Sequence, residues 1–170
     1  MGGAGCNTAK YFYNKGVNAT YICVSNAERK DLPGAFLFTE YHIYSKEKLS
    51  QIASSKVRVG EEMMKPDLPT ALPPPIAERL NRNSRFILLV GLGGLTGSYL
   101  VRDIADLLKK DNKEFAIICS LPFNFEGEIR NSYANMVKDE LSSLPNFHYY
   151  LNENIREKYG NLRIRVLRYS

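Results

Sequence analysis

The stretch "RFILLVGLGGLTGSYLVRDIADLLKK", Arg85 to Lys110, joins an apolar run, a glycine-rich turn and an amphipathic pattern without a break. The run Arg85 to Val90 is what a strand covered on both faces requires. Leu100, Ile104, Leu107 and Leu108 then fall on one stripe at helical spacing. A strand passing through glycines into a helix leaves unpaired N–H groups and a positive dipole end at the turn, which suits phosphate. The plain structural alternative is a tight turn that needs φ > 0. A second glycine cluster, "MGGAGCNTAKY", opens the chain at Met1 and also leads into a helical pattern.

The rest of the chain repeats this alternation. "NTAKYFYNKG" predicts a short helix capped at Asn7 or Thr8 and stopped at Gly16. "ATYICVS" (19–25) and "FLFTEYHIY" (36–44) predict strands, "KEKLSQIASS" a turn or two of helix, and "KVRVG" (56–60) a short strand. The segment 65–75, "KPDLPTALPPP", cannot be regular, because each proline removes a donor and restricts its predecessor. It leads into a helix, "IAERLNRN", with Pro74 or Pro75 in the first turn. "EFAIICSLPF" predicts a buried strand, "EIRNSYANMVKDELSSL" a helix, "NFHYYLNEN" a strand, and "NLRIRVLRYS" (161–170) a terminal strand. Strand, loop and helix in recurring order predict a single α/β domain over 1–170. Its architecture is a three-layer, Rossmann-like, mostly parallel sheet with helices on both faces.

Charge and cysteine usage exclude several function classes. The net charge of +5 comes from Lys and Arg spread along the chain, not from the clustered face that nucleic-acid binding requires. Apolar runs of about five residues fall far short of the roughly 20 that span a bilayer, so direct membrane insertion is not expected. "MGGAGC" has Cys6 where a myristoylation signal wants Ser or Thr. Cys6, Cys23 and Cys119 lack metal-ligand spacing and fit reduced thiols in a cytoplasmic protein.

The glycine spacing fits neither "GxxxxGK[ST]" nor an uninterrupted dinucleotide fingerprint. The segment "SLPFNFEGEIR", about 30 residues after the second glycine loop, supplies what that spacing lacks. Together with "GLGGLTGS" it resembles the FtsZ/tubulin superfamily of GTP-binding, filament-forming proteins, and FtsZ more than tubulin. Gly93, Gly94, Leu95, Thr96, Gly97, Ser98 and Tyr99 correspond to that family's GGGTGTG loop. Pro122 to Gly127 match its PFNFEG sugar loop throughout. "GGAGCNT" is similar to its first phosphate loop, "YICVSNAERKDL" to a segment ending NTDAQAL, and "YLNENI" to its PND-L segment.

The resemblance implies a GTP or GDP site, with Mg²⁺ as an optional companion. The backbone at Gly2, Gly3, Ala4, Gly5 and Cys6, and at Gly93, Gly94, Leu95, Thr96 and Gly97, would face the phosphates. Glu126 and Arg130 would hold the ribose, and Asn26 and Asn152 would contact ribose or base. Read without the resemblance, Glu126 and Arg130 are surface charges, and Asn152 is turn chemistry. The resemblance also implies partners, either further copies of this chain or a full-length FtsZ-like protein.

Three departures qualify this. The family places an apolar strand before its first glycine loop, between the counterparts of "ATYICVS" and "RFILLV"; here Met1 precedes the glycines, which would leave backbone unpaired within the sheet. "NLRIRVLRYS" is a poor filler, because Arg163, Arg165 and Arg168 suit an edge rather than a doubly covered strand. Leu95 and Tyr99 stand where the family has glycine, and "MMKPDLP" occupies the place of its GAGAxPExG loop. The guanine-holding helix and the acidic catalytic loop have no counterpart, so no catalytic residue and no metal ligand is assigned. Three readings follow: a guanine-nucleotide-binding switch or adaptor, a degenerate interaction module without nucleotide, and a GTPase completed in trans.

Overall fold

The computed structural model describes residues 1–25, 35–38, 45–54, 67 and 72–159. In chain order the elements are α1 (Gly2–Asn14), β1 (Ile22–Val24), β2 (Phe36–Phe38), α2 (Lys46–Ser54), α3 (Pro74–Asn81) and β3 (Arg85–Gly91). They continue with α4 (Leu95–Lys110), β4 (Glu114–Leu121), a 3-10 turn (Asn124–Glu126), α5 (Glu128–Leu141), β5 (Phe147–Leu151) and α6 (Asn152–Tyr159). All described strand pairings are parallel, β1 with β2 and β3 with β4 with β5. The fold is α/β, as the alternation predicts. The strands expected at 39–44, 56–60 and 161–170, and Asn26, lie outside the described residues.

Burial follows strand parity. Phe115, Ile117, Cys119 and Leu121 of β4 join Leu88 and Val90 of β3 in one core. Over that face lie Leu100, Val101, Ile104 and Leu108 of α4 and Tyr133, Ala134 and Val137 of α5. Both crossovers run in the same direction along β3–β4–β5, so both helices fall on one face. Ile76 and Leu80 of α3 close the same core, and α3 begins at Pro74 with proline in its first turn, where no N–H is needed.

The opposite face of β3 receives α1. Cys6, Ala9 and Cys23 cluster there, with Leu89 packed against them. Contact is close because Gly5 has no side chain: a Cβ would lie 2.1 Å from the Leu89 carbonyl oxygen. The α4–α5 face of β3 is covered at Leu88 and Val90, but on the face that α1 packs against only Leu89 is covered, and Ile87 remains 66% exposed among the described residues.

Three boundaries differ from the sequence reading. α1 begins at Gly2, five residues before Asn7, and its cap residue Met1 makes no side-chain cap hydrogen bond. β5 ends at Leu151, and "NENIREKY" forms α6 instead of continuing the strand. Among the described residues the sheet is divided: β1–β2 is separate from β3–β4–β5, and β3 stands at the edge of the three-stranded part.

All three cysteines are free and buried. Burial pushes the Cys119 thiol up to about 12, and its Sγ donates to the His148 carbonyl at 3.5 Å. A thiol reagent at mildly alkaline pH is therefore expected to label the native chain far more slowly than the denatured chain. Equal rates in an absorbance assay would show that these side chains are not packed as described.

Candidate functional site

From β3 the chain steps to β4 and β5, whereas α1, packed on β3, leads to β1 in the separate two-stranded sheet. Ligands of open parallel α/β sheets bind outside the carboxyl ends of the strands. The two glycine clusters meet at this place. A Cβ on Gly2 would lie 3.5 Å from the Gly97 backbone, and one on Gly97 would lie 3.3 Å from the Met1 carbonyl oxygen. The N-termini of α1 and α4 are thus side by side.

Both helix starts carry the features of an anion site. Neither cap residue, Met1 or Gly94, makes a side-chain cap hydrogen bond, and neither helix has an acidic residue in its first turn. Gly2, Gly3, Ala4 and Gly5 form the first turn of α1, and Leu95, Thr96 and Gly97 open α4 after the Gly94 cap. Cys6 is set apart, since its side chain is fully buried and its Sγ lies 3.9 Å from the Val24 carbonyl. Leu95 and Tyr99, the two residues that depart from glycine, pack partly buried against the core.

The turn before α4 is latched in place. Gly93 has φ +84, and its N–H donates to the buried Ser98 hydroxyl at 3.0 Å. Arg130 Nε reaches the Gly93 carbonyl at 3.4 Å, and a Cβ on Gly93 would meet Arg130 at 2.7 Å. Gly3 is different: among the described residues, a Cβ there would meet nothing within 4 Å, and at Gly94 only the Gly91 carbonyl oxygen, at 4.0 Å.

Arg130 also joins this turn to the 3-10 loop. It pairs with Glu126 at 2.5 Å, while the other Glu126 oxygen accepts the Phe123 N–H at 2.9 Å. Phe123 and Phe125 stack, with ring centroids 5.0 Å apart. Asn152 begins α6 at the carboxyl end of β5, and the neighbouring Glu153 carboxylate accepts the Asn124 N–H at 2.7 Å. That N–H, followed by Arg156, holds the Glu153 carboxyl below its usual range. The loops after β3, β4 and β5 are therefore tied into one rim.

Three residues of this rim were not singled out from the sequence. Ser98 latches Gly93, Asn131 Nδ2 donates to the Phe123 and Gly127 carbonyls at 3.1 and 2.9 Å, and Glu153 bridges to Asn124. Their only sequence signal is polarity at a helix start, which is common on any surface. Among the described residues, no cluster of side chains able to hold a metal ion occurs, and no helix is long and apolar enough to cross a membrane.

Comparison with curated proteins gives low-identity partial matches. The chain is 27% identical over 127 residues to cell division protein FtsZ 1 of Thermococcus kodakarensis. It is 28% identical over 127 residues to the proteins of the same name from Pyrococcus horikoshii and Pyrococcus abyssi. Each match covers 75% of this chain and 33% of the relative, so the chain spans about a third of the length of these relatives. No protein-family model matches the chain. The similarity supports an FtsZ-like relationship, and the parallel α/β architecture agrees with it.

Proposed function

We propose that the chain binds GTP or GDP in the crevice at the carboxyl ends of β3, β4 and β5, and that it works as a nucleotide-dependent switch or adaptor. The observation that carries this reading is the side-by-side placement of the N-termini of α1 and α4. Two helix dipoles and their first-turn N–H groups favour a shared anion, and no carboxylate in either first turn opposes it. Phosphates are the anions that glycine-lined helix starts accommodate, because the backbone can approach their oxygens closely.

The ribose belongs on the Glu126 side. A carboxylate can accept two hydroxyls, and Arg130 fixes the Glu126 rotamer while also holding the phosphate turn through Gly93. Asn152 stands on the far rim, where it reaches ribose or base. Asn26 belongs to the same proposal on the family resemblance alone. Mg²⁺ enters with the nucleotide, since it commonly keeps most of its waters and binds through phosphate oxygens. Partners are further copies of this chain or a longer FtsZ-like protein, whose acidic groups would be needed for hydrolysis.

The test is thermal denaturation of the chain with GTP, GDP, ATP or no nucleotide. Ligand at 100 times its dissociation constant adds about 2.7 kcal/mol to the folded state, which raises Tm by several degrees. Glu126→Gln keeps an acceptor for the Phe123 N–H but removes the charge; it is expected to keep the fold and to weaken binding about tenfold. The absence of any guanine-nucleotide shift in a folded chain would leave the interaction module as the better reading.

A further inference from the structure

Asn131 holds the loop that carries Glu126 from both sides. Its Nδ2 donates to the Gly127 carbonyl at 2.9 Å and to the Phe123 carbonyl at 3.1 Å, with a longer contact of 3.5 Å to the Asn124 carbonyl. Carbonyl oxygens around a carboxamide select its NH₂ end, because carbonyls accept and do not donate. Its two N–H groups serve the two nearer carbonyls, one before Glu126 in the chain and one after it. Asn131 reaches them because it lies in the opening turns of α5, where side chains lean back toward the helix start.

Each of these two carbonyls also takes a main-chain donor. The Phe123 carbonyl accepts the Glu126 N–H at 3.0 Å, and the Gly127 carbonyl accepts the Asn131 N–H at 3.1 Å. The first of these bonds closes the 3-10 turn on which Glu126 stands. Gly127, at φ +102, joins that turn to α5. Glycine is the most freely turning joint a chain has, so without a brace Glu126 would swing relative to the helix. The carboxamide supplies the brace by tying the turn to α5 across the glycine. The N–H side of the loop is held separately, Phe123 by Glu126 Oε1 at 2.9 Å and Asn124 by Glu153 at 2.7 Å.

We propose that Asn131 is a positioning residue that aims the Glu126 carboxylate at a vicinal diol, and so makes the site select nucleotides with an intact ribose over those lacking its hydroxyls. The inference rests on the nucleotide reading and adds to it what sets the sugar selectivity. A carboxylate held in one orientation beforehand binds two hydroxyls at little ordering cost, whereas a mobile one loses part of the gain. Arg130 fixes the carboxylate end through its ion pair, and Asn131 fixes the backbone that carries it. The proposed phosphate positions lie on other elements, at the starts of α1 and α4, so loss of the Asn131 carboxamide leaves them in place. Asn131 itself touches no ligand, because its donors are spent on the loop.

The test measures binding of GDP, dideoxy-GDP and pyrophosphate to the full chain by isothermal titration calorimetry. The wild-type chain is expected to prefer GDP over dideoxy-GDP by about tenfold, as for hydrogen bonds to a charged group. Asn131→Ala is expected to cut that preference to about twofold or less, with dideoxy-GDP and pyrophosphate bound as before. Asn131→Ser keeps one donor for the Gly127 carbonyl and is expected to fall between the two; it carries the test if circular dichroism shows the alanine variant unfolded. In a Glu126→Gln background, Asn131→Ala is expected to change GDP binding by less than about twofold, because the carboxylate it serves is gone. An undiminished preference for GDP in the variants overturns the proposal. So does an equal loss for all three ligands, the mark of a merely structural role, and so does a wild-type chain that binds GDP and dideoxy-GDP equally. A folded wild-type chain that binds none of the three overturns the nucleotide reading itself, and this inference with it.

Discussion

Gly5→Ala is expected to lower the stability of the chain by about 3 kcal/mol, the upper part of the usual range for overpacking. Two effects compete at this position. Alanine is the better helix former by about 1 kcal/mol, so in an isolated helix the substitution would stabilise. Here the new methyl would lie 2.1 Å from the Leu89 carbonyl oxygen and 2.9 Å from its carbon, and both are backbone atoms of a paired strand. Neither can rotate aside. α1 must lift from β3, exposing Cys6 and Ala9 and pulling Met1 from the Leu89 carbonyl. A Tm about 10 °C lower by circular dichroism is the expected reading. An unchanged or higher Tm would mean that α1 does not lie on β3.

Thr96→Glu is expected to separate fold from ligand with opposite signs. Thr96 is the second residue of α4, in a first turn that has no acid and no side-chain cap. A carboxylate there complements the helix dipole and adds about 0.3–1 kcal/mol, so the Tm without ligand holds or rises slightly. The same charge stands where the nucleotide phosphates are proposed to bind. At about 4 Å and an effective dielectric near 20, like charges repel by about 4 kcal/mol. That exceeds the roughly 2.7 kcal/mol gained from ligand at 100 times its dissociation constant. The guanine-nucleotide Tm shift is therefore expected to vanish. A full shift in this variant would sink the proposed phosphate position while leaving the fold description intact.

The middle of the chain was legible because its local and global signals agree. Arg85–Gly91, Leu95–Lys110, Glu114–Leu121 and Glu128–Leu141 each have one period, one length and a marked end, and each formed near the expected bounds. The start of α1 was not legible, because "GGAG" is weak helix material by propensity. Tertiary contact overrides propensity there: a helix can lie on the Leu89 backbone only if no Cβ intervenes. The end of β5 was misread for the opposite reason. "HYYL" has strand propensity, and "NEN" reads as a turn, but Glu153 reaches both Asn124 and Arg156 and so begins a helix. The family resemblance set both glycine clusters toward one ligand, and in the fold Gly2 lies beside Gly97. The ties among Ser98, Arg130 and Glu126 depend on which side chains face each other across three loops, which spacing along one chain does not encode.

The uneven space around the glycines decides what a catalogue of tolerated substitutions would teach. Gly5, Gly93 and Gly97 are hemmed in by the protein itself, so intolerance there reports folding whether or not any molecule is ever bound. Among the described residues, a side chain at Gly3 would meet nothing and one at Gly94 only the Gly91 carbonyl oxygen, at 4.0 Å. Selection against a side chain at those two positions points beyond the packing of these residues, to a bound molecule. Of all the glycines in the two clusters, the two with the fewest neighbours carry the most information about purpose.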